Sequence, residues 1–312
     1  MSVRNFLAAV FLSVVSLSAL AFMPAPGLWI VSSEANGNPG RGFNIEVENE
    51  IVVFTYYGYR PDGSGAFYLA AGAIANNVFT GSLQEYAGGR YLGGPAVNAH
   101  ATTSPGNVTI TFSSGMDGTM NLPGEGPALI SKFEFGYDNS PNSLLGWWLM
   151  MTPTSGGLLG DYKNMTTLVG VYTLNGNGVV TNTLANFTCE HQVYGVLAGD
   201  TVCAEAPVVT GQTNLYVFRM AGDRGSGYGM TYGLTTINET FVLRTTTASG
   251  VETSITDGLP GQIQAAALHG SRNLSADRTV SLAEPANVMP QEKITAINAW
   301  ASEVGSLLHK QQ

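Results

Sequence analysis

The sequence predicts a mainly β protein: an antiparallel meander forming small barrels or a sandwich, built as two β-units and closed by a C-terminal amphipathic helix. Three observations carry this. Short segments that alternate apolar and polar residues recur between residues 27 and 255, separated by Gly-, Asn- and Pro-containing turns, with no helical pattern between them. The 312 residues include 39 glycines and only 11% charged residues, against about 25% in an average soluble domain, which fits an uncharged polar surface. Over 291–309 the apolar spacing switches to three and four. With 44% hydrophobic residues the chain has enough apolar material to bury a core.

The N-terminus reads as a signal peptide over 1–21. Arg4 gives the positive start, 6–17 is an apolar run broken only by serine, and Ala19-Leu20-Ala21 is a small-x-small cleavage site that leaves Phe22 as the first mature residue. The apolar run falls short of the roughly 20 residues a membrane-spanning helix needs. The mature chain is therefore expected to be secreted or periplasmic, without a transmembrane span.

The first β-unit is assigned to 22–138. Residues 27–31 make a short strand and Asn36-Gly37-Asn38-Pro39-Gly40 a turn. In 41–47, Phe43, Ile45 and Val47 share one face and Asn44 and Glu46 the other. A hairpin turn at 48–50 leads to 51–59, the strongest strand of the chain, rich in β-branched and aromatic residues. Pro61-Asp62-Gly63 and Asn76-Asn77 turn the strands 66–71 and 78–86. After a long loop, 87–104, come strands at 108–112, 118–122 and 130–135. About eight strands suffice to close a small barrel or stack as a sandwich.

The second β-unit is assigned to 139–255 and opens like the first, with Gly146-Trp147-Trp148 matching Gly27-Leu28-Trp29. Strands are read at 144–151, 167–174, 178–182, 193–197, 214–220, 227–233 and 239–246, with Gly225-Ser226-Gly227 in a hairpin loop. Residues 256–312 form a linker, with an alanine-rich stretch at 261–268, and the helix. Pro290 precedes the helix, and Ile294, Ile297, Trp300 or Ala301, Val304 and Leu308 share the face that packs on the barrel or on a partner.

The first unit resembles a repeat family of secreted and surface proteins from proteobacteria whose activity is unknown. The resemblance rests on Gly27-Leu28-Trp29, Pro39-Gly40-Arg41-Gly42-Phe43, Tyr57-Gly58-Tyr59, Phe67-Tyr68-Leu69-Ala70, Tyr86-Ala87-Gly88-Gly89, Leu122-Pro123-Gly124-Glu125 and Phe133-Glu134-Phe135-Gly136, in that order. It implies an exported β-rich module and supplies no catalytic residues. A looser similarity, the Gly-x-Trp on the first strand, is to lipocalin and avidin-like barrels, and implies a closed barrel with Trp29 and Trp148 plugging an end.

Candidate chemistry is sparse. A net charge of −9, with no Lys/Arg run, argues against nucleic acid and anionic membrane surfaces as partners. His100, His191, His269 and His309 share no metal-ligand spacing, and no nucleophile elbow or phosphate loop is present. Cys189 and Cys203 form an even pair in an oxidising compartment and read as one disulfide. A metal site of Cys189, His191 and Cys203 would lack a fourth ligand. Glu46, Glu48 and Glu50 read as a solvated row. Five Asn-x-Ser/Thr sequons, at Asn107, Asn164, Asn186, Asn238 and Asn273, are as many as this composition yields by chance.

Binding is the better lead. Arg41, flanked by glycines, is read as capping the barrel through carbonyls or Glu125, with anion binding as the other option. Trp29, Arg41, Tyr57, Tyr59, Tyr68, Tyr86, Glu125 and Trp148 are the candidate ligand-binding residues, the tyrosines suiting carbohydrate or peptide contacts. No catalytic residue, metal or cofactor is assigned. The expected function is an exported, non-catalytic binding or surface-interaction protein acting on a small molecule, glycan or cell-surface partner. The alternatives are a barrel carrying a small apolar ligand and a secreted hydrolase.

Overall fold

The computed structural model describes residues 23–102, 104–154, 157–205, 208, 211–253, 273–274 and 289–310. The segment 1–21, read from the sequence as a signal peptide, and the stretch 261–268 lie outside them. The chain divides into two compact units at Lys132/Phe133. Each contains an eight-stranded antiparallel barrel.

The first unit contains β1 (Gly27–Val31), β2 (Gly42–Glu48), β3 (Ile51–Tyr59), β4 (Gly65–Ala75), β5 (Val78–Ala87), the two-residue β6 (His100–Ala101), β7 (Gly106–Phe112), β8 (Asp117–Asn121) and β9 (Ala128–Lys132). Neighbours in sequence pair in the sheet, and β1 closes the barrel by pairing with both β2 and β9. The two tightest connections use left-handed backbone, at Asn49 and Glu50 (φ 46° and 64°) and at Asn76 and Asn77 (φ 51° and 63°), as two-residue hairpins require. The inward positions form one continuous core that includes Trp29, Phe43, Phe54, Phe79, Ile110 and Met120. Trp29 closes one end: its indole donates to the Ala25 carbonyl at 2.9 Å and its ring meets Phe112 edge-on at 5.6 Å. The connections 32–41, 60–64, 88–105 and 122–127 gather at the opposite, open end.

The second unit contains β10 (Gly146–Thr154), β11 (Gly157–Leu168), β12 (Val180–Asn182), β13 (Phe187–His191), β14 (Thr201–Glu205), β15 (Asn214–Ala221), β16 (Arg224–Thr231) and β17 (Ile237–Arg244), with β18 (Asn273–Leu274) beside β11. β10 pairs with both β11 and β17 to close the barrel. Its core takes in Leu144, Trp148, Met165, Phe187, Phe218 and Val242. The Cys189–Cys203 disulfide forms between residues directly opposite each other on β13 and β14. By the chain-entropy model a loop of this size is worth about 3 kcal/mol.

Several segments differ from the pattern expected of them. The strand read at 167–174 ends at Leu168, and the one read at 193–197 is a turn around the 3-10 segment Gly195–Leu197. The strands β13 and β14 stand instead on either side of that turn. The first-unit strand read to 135 ends at Lys132. Gly225-Ser226-Gly227 is not a hairpin loop but the start of β16, where a Cβ on Gly227 would overlap the Val217 carbonyl; glycine there lets β15 and β16 coil tightly.

Helix α1 (Gln291–His309) packs on the outer wall of the second barrel. Ile294, Ile297, Trp300, Ala301 and Val304 are buried against Val202, Ala204, Leu215, Val217 and Met230, with Leu308 partly buried beside them. Beneath the helix lies Glu190, fully buried. Its carboxylate accepts from the Thr173 backbone (3.0 Å) and hydroxyl (2.7 Å), the Gly178 backbone (3.1 Å) and the Trp300 indole (2.8 Å). The helix is pinned further where Lys293 meets Asp200 at 3.1 Å and Glu303 accepts from Leu174 N–H at 2.9 Å.

The Glu190–Trp300 bond is a charge-assisted contact in a dry setting. Trp300→Phe keeps most of the apolar volume and leaves a buried carboxylate oxygen short of a donor. The expected cost is about 1–3 kcal/mol, read as a lower urea midpoint with an unchanged slope. An unchanged midpoint would show that this bond does not secure the helix.

Candidate functional site

The open end of the first barrel gathers half of the candidate residues: Arg41, Tyr57, Tyr59 and Glu125. β3 ends there and β4 begins there, so Tyr57 stands directly opposite Phe67, and Tyr59 opposite Gly65. Because side chains alternate, Phe54 and Tyr56 point inward while Tyr57 and Tyr59 point out. Tyr57, Tyr59 and Phe67 are 49%, 62% and 47% exposed, values high enough to leave their rings as surface rather than core. With Gly40, Gly58, Gly65 and Ala66 they line a shallow, open hollow of about 400 Å³. Gly58 is required beneath this strip: a Cβ there would lie 2.5 Å from the Tyr56 ring, which lies over it.

Next to Gly40 in the chain, the β1–β2 connection carries an ion cluster. Arg41 follows Gly40, and its guanidinium bonds Glu34 (2.8–3.1 Å) and Glu125 (2.6–2.7 Å). The Glu34 bond, and then that to Glu125, hold the Arg41 pKa above its ordinary value despite partial burial. This ties the β1–β2 connection to the β8–β9 turn and leaves the guanidinium neutralised by two carboxylates. Arg60, on the β3–β4 turn, pairs with Glu85 and with the Gly65 carbonyl at 2.8 Å.

The remaining candidates stand elsewhere. Tyr68 is inward and partly buried on the core, its ring 6.0 Å from that of Tyr56. Tyr86 is half-buried on β5, opposite Ala101 of β6. Trp29 and Trp148 are 1% and 2% exposed and belong to the cores. They share a local design. Gly27 and Gly146 adopt φ of 108° and 111°, and each indole donates to the carbonyl four residues back, Ala25 at 2.9 Å and Leu144 at 3.0 Å. Glu34 and Arg60 join the site without having been singled out, and Phe67 joins it from the aromatic cluster of the first unit rather than from the candidate ligand-binding residues. The pairing with Tyr57 marks Phe67, but only once the β3–β4 register is known, and nothing local to Glu34 announces its contact with Arg41.

In the second barrel, Arg244 stacks between Trp148 and Tyr137, its guanidinium carbon 4.0 and 4.1 Å from the two ring centres. It donates to the carbonyls of Ser143 and Leu145, and burial pulls its pKa down to about 10, still protonated at neutral pH. Lys163 lies 2.6 Å from Asp161 and 3.7 Å from Glu205, and 4.7 Å above the Phe187 ring.

One pair in this barrel has the look of catalysis. Ser143 Oγ lies 2.8 Å from His191 Nε2, and Thr201 Oγ1 lies 2.9 Å from Nδ1. The hydroxyl of Ser143, however, donates to the Ser140 carbonyl at 2.8 Å. The hydrogen-bond pattern therefore assigns the ring proton to Nε2, donated to Ser143, with Nδ1 accepting from Thr201. That is the reverse of nucleophile activation, in which the imidazole takes the serine proton and a carboxylate holds the other nitrogen. Burial, and then repulsion from Arg244, lowers the His191 pKa to about 4, so the ring is neutral. Among the described residues no group of three or more His, Cys, Asp or Glu side chains is arranged to hold a metal ion, and no helix is long and apolar enough to cross a membrane.

Comparison of the chain with protein-family models, with curated proteins and with solved structures finds no match.

A His191 pKa of about 4, against 6.5 when unfolded, means the unfolded chain binds the extra proton first. Its contribution to stability is complete above pH 6.5 and is lost as pH falls toward 4. Between pH 7 and 4.5 the wild type is expected to lose about 2–3 kcal/mol more than His191→Gln in urea unfolding. Equal losses would contradict a buried neutral imidazole.

Proposed function

We propose that this protein is an exported, non-catalytic binding module whose contact surface is the aromatic strip at the open end of the first barrel. The observation that carries the proposal is the exposure of Tyr57, Tyr59 and Phe67 side by side over a glycine-lined hollow. Three large outward rings left in water on adjacent strands form an exposed apolar patch, and such patches mark interaction sites. The tyrosines offer ring area and a hydroxyl at little entropic cost. A carrier role draws less support, because the inward faces of both barrels are occupied by their own side chains. The hydrolase alternative loses its best candidate in Ser143, whose proton is directed at a backbone carbonyl. Export is proposed on Arg4, the apolar run 6–17 and Ala19-Leu20-Ala21, and fits the disulfide.

Two measurements test this. N-terminal sequencing of the protein recovered from its host should begin at Phe22; a retained Met1 would end the export proposal. The full chain should co-sediment with envelope material of that host, and a Tyr57→Ala/Tyr59→Ala/Phe67→Ala variant with an unchanged melting temperature should remain in the supernatant. Equal sedimentation of the two would sink the assignment of the strip as the contact surface.

A further inference from the structure

We infer that the strip on β3 and β4 is a stacking platform for a neutral glycan, an inference that rests on the binding role proposed above and names its ligand class. The argument begins with shape. Tyr57 and Phe67 are cross-strand partners, so their Cβ atoms are about 5 Å apart, and Tyr59 stands about 7 Å further along β3. Between Tyr57 and Tyr59 the chain has Gly58, buried and covered from within by Tyr56, and opposite Tyr59 it has Gly65. No side chain rises between the rings. A flat ring with an apolar face can settle on such a surface and touch aromatic carbon and bare backbone together. The carbon-bound hydrogens of a pyranose form such a face, and its equatorial hydroxyls point sideways toward the tyrosine hydroxyls and backbone carbonyls at the edge.

Charge selects among ligands. The nearest cations are both satisfied: Arg41 by Glu34 and Glu125, and Arg60 by Glu85, Ser64 and the Gly65 carbonyl. A phosphate, sulfate or uronate ligand would find no unpaired cation in Arg41 or Arg60 and would approach a chain of net charge −9. Topology removes the main peptide mode. A peptide that adds as a strand needs an open sheet edge, and in this unit β1–β9 and β4–β5 pairing closes the barrel, leaving only the two-residue β6 at its margin. Depth argues for length. An enclosed site buries most of a small ligand, whereas a shallow hollow covers one face of a unit and suits a chain that continues beyond it.

The test is a titration of the full chain, labelled on its tyrosine and phenylalanine rings, followed by NMR. The probes are neutral cellohexaose and chitohexaose, and an anionic oligogalacturonate of equal length. The neutral hexasaccharides are expected to shift the ring signals of Tyr57, Tyr59 and Phe67. Tyr57→Ala and Phe67→Ala should each weaken binding by about tenfold or more, while Tyr57→Phe should weaken it less. Binding of the anionic probe alone, neutral binding unaffected by both alanine variants, or no saccharide binding at all would each overturn the inference. If saccharides fail while strip-dependent sedimentation persists, the glycan assignment falls and the binding role stands; if both fail, both fall.

Discussion

Each unit depends on one strand, the first of its barrel, being hydrogen-bonded on both sides. β1 has five residues, yet it pairs with β2 through Gly27–Trp29 and with β9 through Trp29–Val31. β10 does the same between β11 and β17. Without this shared strand each meander would be an open sheet with two exposed edges. With it, the inward residues are forced into a volume that only their own side chains fill. The indole supplies the bulk at that point, and the glycine two residues before it supplies the backbone geometry that turns the chain into the strand.

The two barrels solve their ends by related means. Trp29 stands opposite Lys132, and Trp148 opposite Arg244. Lys132 donates to the Leu28 carbonyl, while Arg244 lies flat on the indole and reaches the Ser143 and Leu145 carbonyls. Each barrel also holds a cation between two carboxylates, Arg41 with Glu34 and Glu125, and Lys163 with Asp161 and Glu205. Paired in this way, Arg41 and Lys163 clasp neighbouring segments of their barrels together.

The first barrel was legible because its outer face is wet. Alternation in 43–47 and 108–112 follows directly from one face meeting the core and the other water. β13 and β14 were not legible because both their faces are buried. Phe187 and Cys189 face the core, while Thr188 and Glu190 are covered on the other side, as are Val202 and Ala204 around Cys203. The cover over Glu190, Val202 and Ala204 is α1, roughly a hundred residues away in sequence, and its amphipathic face was plain even though its partner was not. Glu190 misleads most, since a carboxylate is the last residue expected at zero exposure, and its donors come from residues 173, 178, 192 and 300. The candidate site divides in the same way. Tyr57 and Tyr59 are exposed as alternation allows, whereas the Arg41 cluster depends on residues 34 and 125 meeting across loops.

The closing strand also fixes where the chain enters and leaves. In the first unit, Gly27 at the start of β1 lies beside Lys132 at the end of β9, close enough that a Cβ on Gly27 would be 3.2 Å from the lysine Nζ. In the second, the Gly146 end of β10 is next to the Arg244 end of β17. A barrel whose two ends emerge together behaves like a bead with one stalk. Chain can be added at that one place without rethreading any strand of the first barrel, whereas the second carries α1 as a further cover over β13 and β14.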